Sequence, residues 1–127
     1  MTYKVLIVDD SKLARMAVIK ALSSLQPGWR RVEAANADQA LQLIGAEDID
    51  VSLLDFNMPG RDGLALATEI RAVRPHMPIA IISANYQTEI VNQTREIGAT
   101  FLAKPLTEDA LRGFLEAAIS RLEKPAA

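Results

Sequence analysis

The chain has 127 residues, half of them apolar, which suffices for one domain with a core and leaves little room for a second. Its formal net charge is −2, and the 14 basic residues are scattered among 16 acidic ones, which argues against direct nucleic-acid binding. The lack of cysteine excludes disulfides, thiolate metal sites and cysteine nucleophiles, and no apolar run approaches the roughly 20 residues that span a membrane.

Short apolar runs alternate with longer stretches of helical period. The first run, Lys4–Val8, contains only four apolar residues, VLIV, before it meets two acids, which is too short for a secretory leader. Ser11 caps a first helix, Ser11–Leu25, whose stripe is Ala14, Ala17, Val18, Ala21 and Leu25, and Pro27-Gly28 ends it. A second strand over Arg31–Ala35 leads to a helix over Ala37–Ile44. The third strand, Val51–Leu54, precedes a helix over Leu64–Val73 that stops before Pro75. The fourth strand, Pro78–Ile82, precedes a helix over Thr88–Ile97 that ends at Gly98. The fifth strand, Ala99–Ala103, leads to the last helix, Glu108–Leu122, capped by Thr107 and striped by Leu111, Phe114, Leu115, Ala118, Ile119 and Leu122. Residues 123–127 read as a frayed tail of a single domain.

Five β-α units in this length predict an α/β fold, an open five-stranded parallel sheet with helices on both faces. The continuous β-branched runs VLIV and IAII fit strands covered on both sides. Ligands of such sheets bind beyond the carboxyl ends of the strands. Those ends carry Asp9-Asp10, Asp55, Ser83-Ala84 and Lys104-Pro105. Taken singly, each has an ordinary reading as a cap, a turn residue or a surface lysine. Together they bring three carboxylates, a hydroxyl and an ammonium to one edge, a repulsive cluster unless a cation is present. Such a set suits Mg²⁺, which takes few protein ligands. A carboxylate beside it is equipped to attack phosphorus and form an acyl phosphate, with Lys104 and Ser83 on the phosphoryl oxygens.

With VLIVDD, LLDFNMPGRDG, Ser83 and Lys104-Pro105 in this order, nearly the whole chain resembles the receiver domains of two-component response regulators, close in length to the single-domain chemotaxis type. The resemblance implies a flavodoxin-like, doubly wound sheet of order 2-1-3-4-5. It implies that Asp55 is the phosphoacceptor and that Asp10, Asp55 and the carbonyl of Asn57 ligate Mg²⁺, with Asp9 acting through water. Ser83 and Lys104 match the family's hydroxyl and lysine, and Pro105 the proline of a cis peptide. Phe101 stands where the family's aromatic switch residue, often a tyrosine, is found. Asn57 and Asn85 occupy positions that tune acyl-phosphate hydrolysis.

The expected function is therefore that of a cytoplasmic signalling switch rather than an enzyme. Asp55 would take a phosphoryl group from a histidine kinase or phosphotransfer protein, Ser83 and Phe101 would move, and the face of the fourth helix, fifth strand and fifth helix would change for an unknown downstream protein target. The domain is expected to act as a monomer, or as a dimer once activated, without contacting nucleic acid or a membrane. The single histidine, His76, lies in a loop at the far edge of the sheet, so the phosphoryl donor is external. On the first helix, Met16 and Ile19 fall opposite the apolar stripe beside Arg15, Lys12 and Lys20, a surface suited to a donor's helix. A haloacid-dehalogenase-like phosphatase would carry its nucleophile on the first strand with a second aspartate two residues on, whereas Asn57 holds that place here. A flavodoxin would need a phosphate-cradling loop after the first strand, and acids stand there instead. An interaction module that is never phosphorylated would not need the full set of acids, Ser83 and Lys104.

Overall fold

A computed structural model describes residues 2–85 and 87–124. The elements alternate as β1 (Lys4–Val8), α1 (Lys12–Leu25), β2 (Arg30–Ala34), α2 (Ala37–Ala46), β3 (Val51–Asp55), α3 (Gly63–Val73), β4 (Ile79–Ser83), α4 (Thr88–Glu96), β5 (Thr100–Ala103) and α5 (Glu108–Glu123). All pairings are parallel, and the strand order is β2-β1-β3-β4-β5. This is the doubly wound order expected above, and it places the ends of β1 and β3 at the reversal of the winding. Among the described residues no helix is long and apolar enough to cross a membrane.

The pleat divides the core in two. Val5 and Ile7 of β1, Leu53 of β3 and Ile82 of β4 pack with Leu22 of α1 and with Leu111, Phe114 and Leu115 of α5. Leu6, Val8, Leu54 and Ile81 face the other way, against Ile44 of α2 and Leu66 and Ile70 of α3. The central strands β3 and β4 are buried along their whole length, so both faces must be apolar. Edge strand β2 is mostly exposed and carries Arg30, Arg31 and Glu33, charges that discourage pairing with another sheet.

Helix ends follow local chemistry. Ser11, Asn36, Asp62 and Thr107 each accept a hydrogen bond from a backbone N–H three residues on. Gly98 takes φ +69°, the left-handed value expected of it after α4. Arg71 of α3 donates to the carbonyls of Met77 at 2.7 Å, Ile97 at 2.8 Å and Gly98 at 3.0 Å, tying α3 to the start of β4 and the end of α4.

Several boundaries differ from the sequence reading. β2 runs one residue earlier than Arg31–Ala35, α2 continues to Ala46, and α4 ends at Glu96 rather than Ile97. β3 and β4 extend to include Asp55 and Ser83, because Asp55 pairs with Ile82 and Ser83 with Ala103 in the ladder. On α1, Leu22 is fully buried and Ala17 exposed, so the core stripe is rotated from the one read in the sequence. Glu123 is helical and accepts a hydrogen bond from the Tyr3 hydroxyl at 3.2 Å, so it is no part of a frayed tail, and residues 125–127 lie outside the described residues.

Candidate functional site

Three strand ends bring carboxylates together. Asp9 and Asp10 follow β1 and Asp55 ends β3, and one carboxylate oxygen from each lies within 4.8 Å of the others. Asp9 and Asp55 are buried and Asp10 is exposed. Asp9 is fixed on three sides. Its N–H donates to Ala34 O at 3.2 Å, its Oδ1 accepts from Ser11 N–H at 2.9 Å, and its carbonyl accepts from Arg15 Nη1 at 2.6 Å. Burial pushes its carboxyl above the usual range, with the charges of Asp55 and Asp10 adding to the rise. The Ser11 N–H and the Lys104 ammonium pull the other way.

Asp55 is held differently. Lys104 follows β5, and its Nζ lies 2.7 Å from Asp55 Oδ1 as an ion pair. That oxygen accepts no aligned hydrogen bond, the one such buried side-chain atom among the described residues. The ion pair therefore supplies the charge compensation that this buried oxygen needs. The Lys104-Pro105 peptide is cis. The backbone around Asp55 is set by close packing against the start of α3. A Cβ on Gly63 would fall 2.3 Å from the Asp55 carbonyl oxygen and 2.9 Å from Phe56 Cα, so only glycine permits this approach. Gly63 N–H donates to Phe56 O at 2.9 Å. Arg61 pairs with Asp38 at 2.9 Å and with Glu69, tethering the loop after Asp55 to α2 and α3.

Asn57 is exposed in that loop, and buried Met58 anchors it in the core. Ser83 is 1% exposed, and its Oγ accepts from Asn85 N–H at 3.0 Å. Asn85 Oδ1 in turn accepts from the N–H of Gln87, the cap residue of α4. Ser83 lies on the same sheet face as Ile81. Phe101, half-buried, pairs with Ile81 in the ladder, so Ser83 and Phe101 share that face on neighbouring strands. His76 is exposed in the turn before β4, at the opposite end of the sheet from Asp55.

The first helix differs from its sequence reading. Met16 is 53% exposed, as expected, and Leu13, unremarked in the sequence, is 78% exposed. Ile19, read as an exposed docking residue, packs partly against the α1/α5 core because the stripe is rotated. Arg15, read as a surface cation, has a side chain only 14% exposed and pairs with Glu33 at 2.9 Å while holding Asp9. Two further features were not read from the sequence. One is Gly63, whose signal was glycine directly after a helix cap. The other is a largely apolar cavity of about 480 Å³ that runs from Asp55 and Lys104 to Ala14, Ala17 and Leu106, left open where α1 carries small residues.

Comparison with known proteins agrees with this geometry. The response regulator receiver domain family matches residues 5–116. Over 113 residues the chain is 31% identical to sporulation initiation phosphotransferase F of Bacillus subtilis, covering 88% of this chain and 90% of that protein. It is 39% identical over 104 residues to the glycerol metabolism activator of Pseudomonas putida, covering 80% of this chain but 47% of the relative, so it spans about half of that protein's length. Among solved structures, Vibrio cholerae chemotaxis protein CheY4 superposes with a TM-score of 0.82 at 28% identity, covering 93% of this chain and 99% of that one. With three carboxylates, a hydroxyl and a lysine at the ends of a 2-1-3-4-5 sheet, and these relatives, the chain belongs to the response regulator receiver domains of two-component systems.

Proposed function

We propose that this receiver accepts a phosphoryl group on Asp55 from a histidine kinase or histidine phosphotransfer protein in the cytoplasm, and relays it to a protein target through α4, β5 and α5. The observation that carries the reading is the state of Asp55, 5% exposed, with Oδ1 lacking an aligned hydrogen bond and Lys104 Nζ 2.7 Å away. The ammonium beside the carboxylate is placed to neutralise the oxygens of an incoming phosphoryl group, and burial shields the product from water.

The donor set fits a hard cation that prefers oxygen, so Asp10, Asp55 and the carbonyl of Asn57 would hold Mg²⁺ directly and Asp9 through water. When bound, Mg²⁺ supplies positive charge against the phosphoryl oxygens. An Asp55 oxygen attacks phosphorus and the P–N bond of the donor's phosphohistidine breaks. The imidazole leaves with the bonding pair as a neutral ring, its other nitrogen carrying the proton. Lys104 stays beside one phosphoryl oxygen, and the Ser83 O–H donates to another. That movement breaks the bond from Asn85 N–H and vacates space on the face that Ser83 shares with Phe101, which then turns inward. The chain transfers the group only to itself and loses it slowly, so it is a signalling switch rather than an enzyme with a separate substrate.

Exposed Leu13 and Met16, on the helix whose Ala14 and Ala17 line the cavity that reaches Asp55, support docking of the donor over α1 and the β5–α5 loop. Incubation with Mg²⁺ and acetyl phosphate tests the function. Intact mass should show one phosphoryl group on the parent and none on Asp55→Asn. In Ser83→Ala the mass gain should persist while the amide signals of α4 and β5 stay in their unphosphorylated positions. No mass gain by folded, Mg²⁺-bound parent protein would overturn the reading.

A further inference from the structure

Arg15 stands out once the site is assembled, because it is a nearly buried cation that meets the site only at its backbone and takes no part in the proposed transfer chemistry. Its Nη1 donates to the carbonyl of Asp9 at 2.6 Å, and its Nε donates to Glu33 at 2.9 Å. The carbonyl it holds belongs to the peptide that joins Asp9 to Asp10. One guanidinium therefore sets the tilt of the peptide plane from which both carboxylates depart. Glu33 precedes Ala34, whose carbonyl receives the Asp9 N–H at 3.2 Å. The end of β1, the first turn of α1 and the end of β2 are thus closed into one ring of contacts around the Asp9 backbone. Nothing else among the hydrogen bonds of the described residues takes the Asp9 carbonyl.

We infer that Arg15, braced by Glu33, is a positioning residue for the metal site: it orients the Asp9-Asp10 peptide so that both carboxylates point at a divalent cation. The inference rests on the proposed function, since the cation is the one that accompanies phosphoryl transfer. Its physical content is preorganisation. Asp9, Asp10 and Asp55 repel one another, and without a brace the β1–α1 turn would relax to spread them, so metal binding would have to regather them at a cost. Outer partners of metal ligands act in this way, and their loss weakens metal binding about 10–100-fold.

The sign of the effect separates this role from plain electrostatics. A cation next to a metal site repels the metal, so removing the Arg15 charge should tighten Mg²⁺ binding if charge alone matters. Positioning requires the reverse. Isothermal titration of metal-free parent, Arg15→Met and Arg15→Lys with Mg²⁺ alone, at fixed ionic strength, decides between them. Arg15→Met should bind about tenfold more weakly. Arg15→Lys should fall between the two, because an ammonium can reach the Asp9 carbonyl or Glu33 but lacks the fork to hold both. Glu33→Gln, which loosens the brace and keeps the contact to Asp9, should lose less than Arg15→Met. If Arg15→Met does not fold, the ordering of parent above Arg15→Lys carries the test. Unchanged or tighter Mg²⁺ binding by the folded variants overturns the inference. It would do so even if transfer from a donor protein fell, which is the outcome expected of a docking arginine. Absence of Mg²⁺ binding by the parent would overturn the proposed function itself and this inference with it.

Discussion

Asp9 illustrates what the site costs the fold. Its carboxyl is held above the ordinary range chiefly by burial and then by its acidic neighbours, against the opposing pull of Ser11 N–H and Lys104. A carboxyl whose folded pKa exceeds its unfolded value, about 4, destabilises the fold wherever it is ionised in both states. That penalty is fully present above the folded pKa and is relieved as pH falls through it. Asp9→Asn should therefore raise the melting temperature by a few degrees near pH 7 in metal-free buffer. The advantage should shrink as the pH approaches 4 and also in saturating Mg²⁺, which stabilises the parent's intact site more than the variant's. Thermal unfolding followed by circular dichroism at both pH values, with and without Mg²⁺, checks this. A lower melting temperature for Asp9→Asn in metal-free buffer at pH 7 would contradict it. The identities of Asp9, Asp10, Asp55, Ser83 and Lys104 were legible in the sequence because strand ends announce themselves where apolar runs stop. Which of them have hydrogen-bond partners was not legible. The bond from Ser11 N–H to Asp9 and the 2.7 Å ion pair of Asp55 Oδ1 with Lys104 depend on loop conformations that no spacing encodes.

At the scale of elements, Asp55 depends on how α3 meets β3. The helix begins at Gly63 directly against the Asp55 carbonyl, capped by Asp62 Oδ1, which accepts from Ala65 N–H at 2.8 Å. A methyl group there would meet backbone atoms, which cannot rotate away as a side-chain tip does. Gly63→Ala should cost about 1–3 kcal/mol, the range of overpacked sites. It should also slow acetyl phosphate labelling of the protein that remains folded, because the relief moves the Asp55 backbone. Urea unfolding measures the first effect and intact mass against time the second. Full stability together with a normal labelling rate would show that α3 can shift without the acceptor. Element order and type were readable from period alone, since VLIV and IAII are too apolar and too β-branched for surface helices. Element ends were less readable. Asp55 and Ser83 are poor strand formers, yet ladder pairing with Ile82 and Ala103 draws them into β3 and β4. The facing of α1 was misread because Ala17 and Leu22 both fit an apolar stripe, and packing against α5 decides between them. The same rotation turns Ile19 partly inward and leaves Leu13 outside.

At the scale of the molecule, the fold separates stability from function along the sheet. The two apolar layers occupy the middle, and the carboxyl ends of the strands gather groups that repel one another. Arg71, with its guanidinium on carbonyls at the opposite end, holds α3 and the end of α4 to the start of β4. The beginning of α4 has no side-chain cap and is linked to the site through Gln87, Asn85 and Ser83. A helix fixed at one end and tied at the other to the hydroxyl that we propose moves on phosphorylation is suited to passing a chemical event to a surface. Everything in that scheme depends on which carboxylate receives the phosphoryl group, since the acidic edge offers three. The most direct measurement is chemical trapping. Protein labelled with acetyl phosphate and Mg²⁺ is reduced with borohydride, which converts an aspartyl phosphate to homoserine, and is mapped by tandem mass spectrometry. Homoserine at position 55, absent when Mg²⁺ is chelated, is the predicted result. Homoserine at position 9 or 10, or none in protein whose intact mass shows a phosphoryl group, would contradict Asp55 as the acceptor.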